Sequence, residues 1–262
     1  MTYPFDHAWH AEHERLTAME RIFDPMTVAH LDQLGVTTGW HCLEVGAGAG
    51  SVALWLADRV GPTGRVLATD LDPRFLQPGP NLEVQQHDIA ADLLPRAAFD
   101  LVHARLVVAY VEKPDYVLQR LFEAVRPDGW VLIEEADHGT TPSRPGYVDP
   151  IEYADLFQRI SAAYSALMIA GGADPQFGAS LPHLLLAGGL VDVGATAHIP
   201  FMFGSTDPHI ARLSLEHLGP VFVGMGLLTQ AEVAEYLALS SRPGMWQALV
   251  PSVSAWGRRP AE

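Results

Sequence analysis

Cysteine is almost missing. The 262-residue chain has one, Cys42, so no disulfide can form within it and no cysteine-based zinc centre can be assembled. That usage suits a reducing compartment, and we expect a cytoplasmic protein. Positive charge is also scarce. Lys113 is the sole lysine, and the 16 Lys and Arg face 31 Asp and Glu, a net charge of −15. Nucleic-acid backbones and anionic membrane surfaces are gripped by clustered cations, so neither is an expected partner. Long apolar runs are absent as well. The longest uncharged stretches, such as 175–191, are broken by Gly, Pro and polar residues, and none reads as a membrane span. The first residues carry no apolar core of a signal peptide. No internal repeat or low-complexity tract is present.

What the chain does have is apolar mass, 48% of its residues, enough for a sizeable core. Residues 8–34 read as two helices, with Leu16, Met19, Phe23 and Met26 at three- and four-residue spacing. Asp24-Pro25 reads as the N-cap and first position of the second helix. From His41 the pattern changes. A short apolar run ends in glycines, an amphipathic helix follows over 51–60, and Arg65 to Thr69 forms a second strand closed by Asp70. Further strands are expected over 81–86, 99–103 and 130–134, with a helix over 114–125.

This alternation predicts an α/β fold: a doubly wound, Rossmann-like, seven-stranded, mostly parallel sheet. An N-terminal helical cap (1–36) precedes the core (37–138). A helical insertion (139–190) falls between strands 5 and 6, and 191–262 completes the sheet. Within these, 139–149 reads as a loop, 151–170, 181–187, 209–218 and 230–239 as helices, and 191–199 and 249–256 as strands.

The segment Glu44-Val45-Gly46-Ala47-Gly48-Ala49-Gly50 carries the most information. A glycine turn between strand and helix lets a ligand approach the backbone closely. A dinucleotide site asks for G-x-G-x-x-G, and its last glycine position here is Ser51. The pattern is instead E-x-G-x-G-x-G, which resembles the first motif of class I S-adenosylmethionine (SAM)-dependent methyltransferases. Glu44 suits the cofactor's ammonium and would repel a pyrophosphate. Asp70 stands 20 residues beyond Gly50, where a strand-end carboxylate accepts hydrogen bonds from ribose hydroxyls. The bland alternative is that Glu44 and the glycines only shape a tight turn.

The resemblance covers roughly residues 36–138. It implies that Asp88 meets the adenine amino group, with Leu71, His87 and Ile89 around the ring, and that Ala104, Arg105 and Leu106 wall the cofactor. Arg105 equally suits an acidic substrate or a structural ion pair. An N-terminal helix closing over the site would bring Arg15 to the methionyl carboxylate, with Tyr3 and Trp9 either covering the site or packing as core. The product would be S-adenosylhomocysteine (SAH). The D/N-P-P-Y motif of DNA and protein-glutamine methyltransferases is missing after the fourth strand, as is the metal-binding carboxylate of catechol-type enzymes, so no metal is expected. A small molecule is the expected substrate, and the chain is similar to bacterial methyltransferases of quinone and secondary metabolism.

A hydroxyl nucleophile needs a base. His138, oriented by Asp137, is the candidate, against the reading of a solvated loop histidine. His7, His10 and His13 are a conceivable metal cluster but read better as a solvated helix face. Tyr153, Phe157, Tyr164, Met168, Phe222 and Met225 read as core, with some lining an apolar pocket, and the apolar C-terminal stretch offers a homodimer contact. A SAM-binding protein that cyclises or rearranges its substrate, or a non-catalytic regulator on the same scaffold, remains open.

Overall fold

The computed structural model describes residues 4–139, 148–204 and 209–261. Tyr3 and most of the expected loop over 139–149 lie outside these. The chain forms two compact units: residues 1–19, 136–177 and 197–252 in one, and 20–135, 178–196 and 253–262 in the other.

The second unit is built on a sheet. In chain order its strands are β1 (His41–Val45), β2 (Arg65–Asp70), β3 (Leu82–Gln86), β4 (Phe99–Arg105), β5 (Val125–Ala136), β7 (Val191–His198) and β10 (Ser252–Arg258). They lie in the order β3-β2-β1-β4-β5-β10-β7. The first five pair in parallel. Every residue of β4 is buried, the polar Asp100, His103 and Arg105 included, so the strand shows no alternation of buried and exposed positions. Helix α2 (Ser51–Val60) buries Val52, Ala53, Leu56 and Val60. Helix α3 (Pro114–Ala124), with Pro at its start, buries Val117, Leu118, Leu121 and Phe122. These faces supply the core on the sheet. Strand order reverses at β1 and β4, and in such sheets ligands lie at the carboxyl ends of the strands beside that reversal.

The N-terminal region departs from expectation. It is one helix, α1 (Glu12–Gln33), with Pro25 inside it. Packing outweighs the local stop signal: Phe23, Thr27 and Leu31 are buried on one side of the helix, and continuing it keeps all three there.

The first unit is helical. Its helices are α4 (Ala154–Ala170), α6 (Ile210–Gly224) and α7 (Gln230–Ser240), the last opened by a capping box of Thr229 and Glu232. Leu215, Leu218, Phe222, Leu156, Ile160 and Tyr236 form its core. A small antiparallel sheet of β6 (Val148–Asp149), β9 (Trp246–Ala248) and β8 (Phe201–Phe203) completes it. The strand expected over 249–256 is β10, which starts only at Ser252, after Pro251, which cannot donate to a ladder, and runs on to Arg258; β9 lies before the expected span. Helix α5 (Phe177–Ala187) begins four residues before the apolar run that announced it. Among the described residues no helix is long and apolar enough to cross a membrane.

Candidate functional site

The glycine loop is tied to the end of β2. The Thr69 carbonyl accepts from the amides of Gly46 (2.8 Å) and Ala47 (3.0 Å). Asp70 Oδ2 accepts from the Gly48 amide at 2.9 Å, and Oδ1 from the Asp72 amide at 2.9 Å. Gly46, Gly48 and Gly50 have φ of 70°, 58° and 100°, a region closed to most side chains. A Cβ on Gly46 would come within 2.2 Å of Val107 Cγ2. Asp70 is half-buried. Each of its oxygens holds one backbone amide and keeps a further lone pair.

At the end of β3, His87 and Ile89 are buried and Asp88 is half-buried. Asp88 Oδ1 accepts from the Ala90 amide at 2.9 Å. Leu71, next to Asp70, is 49% exposed, an apolar side chain left open beside an acceptor. At the end of β4, Ala104 is fully buried and Leu106 takes a positive φ of 56°. Arg105 is buried and held by α1: its Nη2 donates to Asp24 and its Nη1 to Thr27, both at 2.8 Å. Acceptor carboxylates at two strand ends, an exposed leucine and a loop that lacks a Cβ at three positions fit a nucleoside with a diol and an amino group.

Behind the loop runs a buried polar chain that sequence reading missed. Glu44 on β1 stands opposite His103 on β4 in the parallel register, and its Oε2 is 2.6 Å from His103 Nδ1. His103 Nε2 is 3.2 Å from Glu134 Oε2 on β5. Glu134 also accepts from Thr27 and, at 2.6 Å, from Ser254, and His30 Nδ1 is 3.5 Å from it. All of Glu44, His103 and Glu134 are buried. Burial alone would push the His103 pKa down, but the two carboxylates outweigh it and raise it to about 9. Burial would raise Glu134, yet hydrogen bonds from His103 and His30 hold it well below the usual carboxylate range. The Glu44 side chain, expected to face an ammonium, is committed on one oxygen to this histidine.

Glu135 points to the opposite face of β5. Its Oε1 accepts from the amides of Val107, Val108 and Ala109 at 3.0, 2.6 and 3.3 Å, the start of a single helical turn over Val108–Tyr110. Its Oε2 is buried with no hydrogen-bond partner among the described residues. Burial lifts its pKa to about 7 against the pull of those three amides.

Three expected site residues belong to the helical unit. Arg15 is buried, and its Nε and Nη2 donate to the Glu12 carboxylate at 2.7 and 2.6 Å, beneath the Phe5 ring. That carboxylate already occupies the fork expected to meet the cofactor. Trp9 stacks on His217 at 4.6 Å. Asp137 donates its amide to the Pro251 carbonyl and accepts from the Gly139 amide. His138 stacks with Tyr164 at 6.3 Å, and burial lowers its pKa to about 4 despite neighbouring Asp137. The imidazole is therefore neutral at pH 7. Among the described residues no group of three or more His, Cys, Asp and Glu is placed to hold a metal ion.

Residues 43–131 match the family described as "Methyltransferase domain". Methyltransferase str3 of Strobilurus tenacellus is 30% identical over 180 residues, 67% of this chain and 61% of that protein. A ubiquinone/menaquinone biosynthesis C-methyltransferase of Hahella chejuensis is 28% identical over 122 residues, 43% of this chain and 49% of that one. The chain thus spans about three fifths or less of the length of these relatives. Among solved structures, phosphoethanolamine N-methyltransferase 2 of Haemonchus contortus in complex with SAM superposes with a TM-score of 0.57 at 15% identity, covering 100% of this chain and 61% of that one. The [4+2]-cyclase SpnF gives 0.51 at 16%, covering 91% and 81%. By its matched domain, its relative in Strobilurus tenacellus and its sheet, this chain belongs to the class I SAM-dependent methyltransferase family.

Proposed function

We propose that the chain binds SAM at the carboxyl ends of β1, β2 and β3 and transfers its methyl group to a small organic molecule, leaving SAH. Bound there, the cofactor supplies a sulfonium-activated methyl group open to in-line displacement. The carrying observation is Asp70: one carboxylate that fixes the Gly48 amide and keeps lone pairs for a ribose diol. Asp88 takes the adenine amino group, and Leu71 and Ile89 flank the ring. The similarity to methyltransferases acting on quinones and to the Haemonchus contortus enzyme supports a small acceptor.

His138 is the residue we assign to accept a proton from an acceptor hydroxyl, with Asp137 beside it. Its ring is unprotonated at pH 7, as a base must be, while burial makes it a weaker base than an exposed histidine. The same reading places the protein in the cytoplasm, with no nucleic-acid partner, and a homodimer contact on the apolar C-terminal stretch.

Calorimetry with SAH tests the proposal. The wild type binds, Asp70→Ala weakens binding tenfold or more, and His138→Gln leaves binding intact while slowing turnover about a hundredfold. Absence of wild-type binding refutes it. The likeness to SpnF favours one second reading, a SAM-binding protein that rearranges or cyclises its substrate. Mass spectrometry separates the two, since only transfer adds a CH2 to the product.

A further inference from the structure

We propose that His103 is a positioning residue for the nucleoside site: bridging Glu44 and Glu134 across three strands, it locks the carboxylate that opens the glycine loop, and with it the loop's conformation. The inference rests on the cofactor reading only for its affinity readout.

Two nitrogens of one ring each face a carboxylate oxygen, at 2.6 and 3.2 Å. A carboxylate accepts only, so two hydrogen bonds need two protons on the ring. The ring is thus an imidazolium between two anions, and the raised affinity for its proton follows. Each element packed here adds a group. From α1, Thr27 and His30 face Glu134, as Ser254 of β10 does. Arg105 of β4 lies near Glu134 but is held by Asp24 and Thr27. His103 is therefore the cation that directly bridges both carboxylates. Without its charge, Glu44 and Glu134 would be two buried anions short of a partner, and a buried charge left unpaired is strongly unfavourable.

Glu44 is one residue from the loop that this lock would govern. The Glu44 carbonyl accepts from Thr69 Oγ1 at 3.2 Å, and the Thr69 carbonyl in turn holds the Gly46 and Ala47 amides. A swing of Glu44 would move the backbone on which Gly46 starts. Sequence comparison of strands alone does not expose the pair, because Glu44 and His103 lie 59 residues apart.

The full chain is titrated with SAH between pH 6.5 and 10, alongside 15N-histidine spectra and the amide resonances of Gly46, Gly48 and Gly50. We expect both His103 nitrogens protonated at pH 7, with one proton lost near pH 9. The glycine amides shift in that step, and SAH affinity falls at least tenfold. His103→Gln shifts the same amides at pH 7, binds SAH at least tenfold more weakly, and shows no step near pH 9. A neutral His103 ring at pH 7, or glycine amides unmoved through pH 10, overturns the inference. If His103→Gln does not fold, the wild-type titration decides. If the wild type binds no SAH, the cofactor reading fails, while the glycine amides still decide for or against the lock.

Discussion

At the residue scale, two neighbouring glutamates show how one position decides chemistry. Strand alternation sends Glu134 and Glu135 to opposite faces of β5. Glu134 meets a cation and stays ionised; Glu135 is buried, with three backbone amides on one oxygen and none on the other among the described residues, and its pKa rises to about 7. The sign of the consequence is definite. An unfolded glutamate loses its proton near pH 4.3, while the folded one keeps it to about pH 7. Folding stability therefore falls as pH rises through that window. Glu135→Gln should remove this slope, on the order of 2 kcal/mol between pH 4.5 and 7.5. Urea midpoints of both proteins at the two pH values measure it; equal slopes would refute the assignment. The sequence motif E-E at 134–135 is legible, but which carboxyl is charged is not. That depends on strand register and on His103, contributed by another strand.

At the element scale, the strand–loop–helix unit around Gly46 was legible because its signals are local. Apolar run, glycine spacing and closing Asp70 all lie within one short stretch. The glycine positions have distinct reasons in the structure. Gly46 has a positive φ and a Cβ position 2.2 Å from Val107 Cγ2, whereas Gly35, with φ of 82°, has nothing within 4 Å of such a Cβ. Gly35→Ala should cost about 1 kcal/mol from backbone strain alone. Gly46→Ala adds a clash with a β-branched side chain that Glu135 holds through the Val107 amide. It should cost about 3 kcal/mol and weaken SAH binding as well. Denaturant midpoints rank the two; equal losses would mean that Val107 gives way freely. The elements that escaped sequence reading are those set by distant packing. Pro25 reads as a helix start yet lies within α1, whose buried Thr27 serves Glu134. Strands β6, β8 and β9 have two or three residues, too few to show a period.

At the scale of the whole molecule, charge gives a further expectation. Counterion release needs clustered cations, and arginines of the sheet unit such as Arg105, Arg59, Arg126 and Arg258 are already bridged to carboxylates. With a net charge of −15, the protein should leave the mobility of a duplex DNA unchanged even at low salt. A retarded band would require a basic surface among the residues outside those pairs.

The place of β10 carries a last consequence, for synthesis. It is the last of the seven strands to leave the ribosome, yet it lies between β5 and β7. Until residues 252–258 emerge, β7 has no neighbour and β5 presents an open apolar edge, the kind that pairs with other chains. Ser254 is also missing from Glu134 during that interval. Nascent chains stalled before residue 252 should therefore be the most prone to aggregate, and the protein's yield should depend on how fast its final strand arrives.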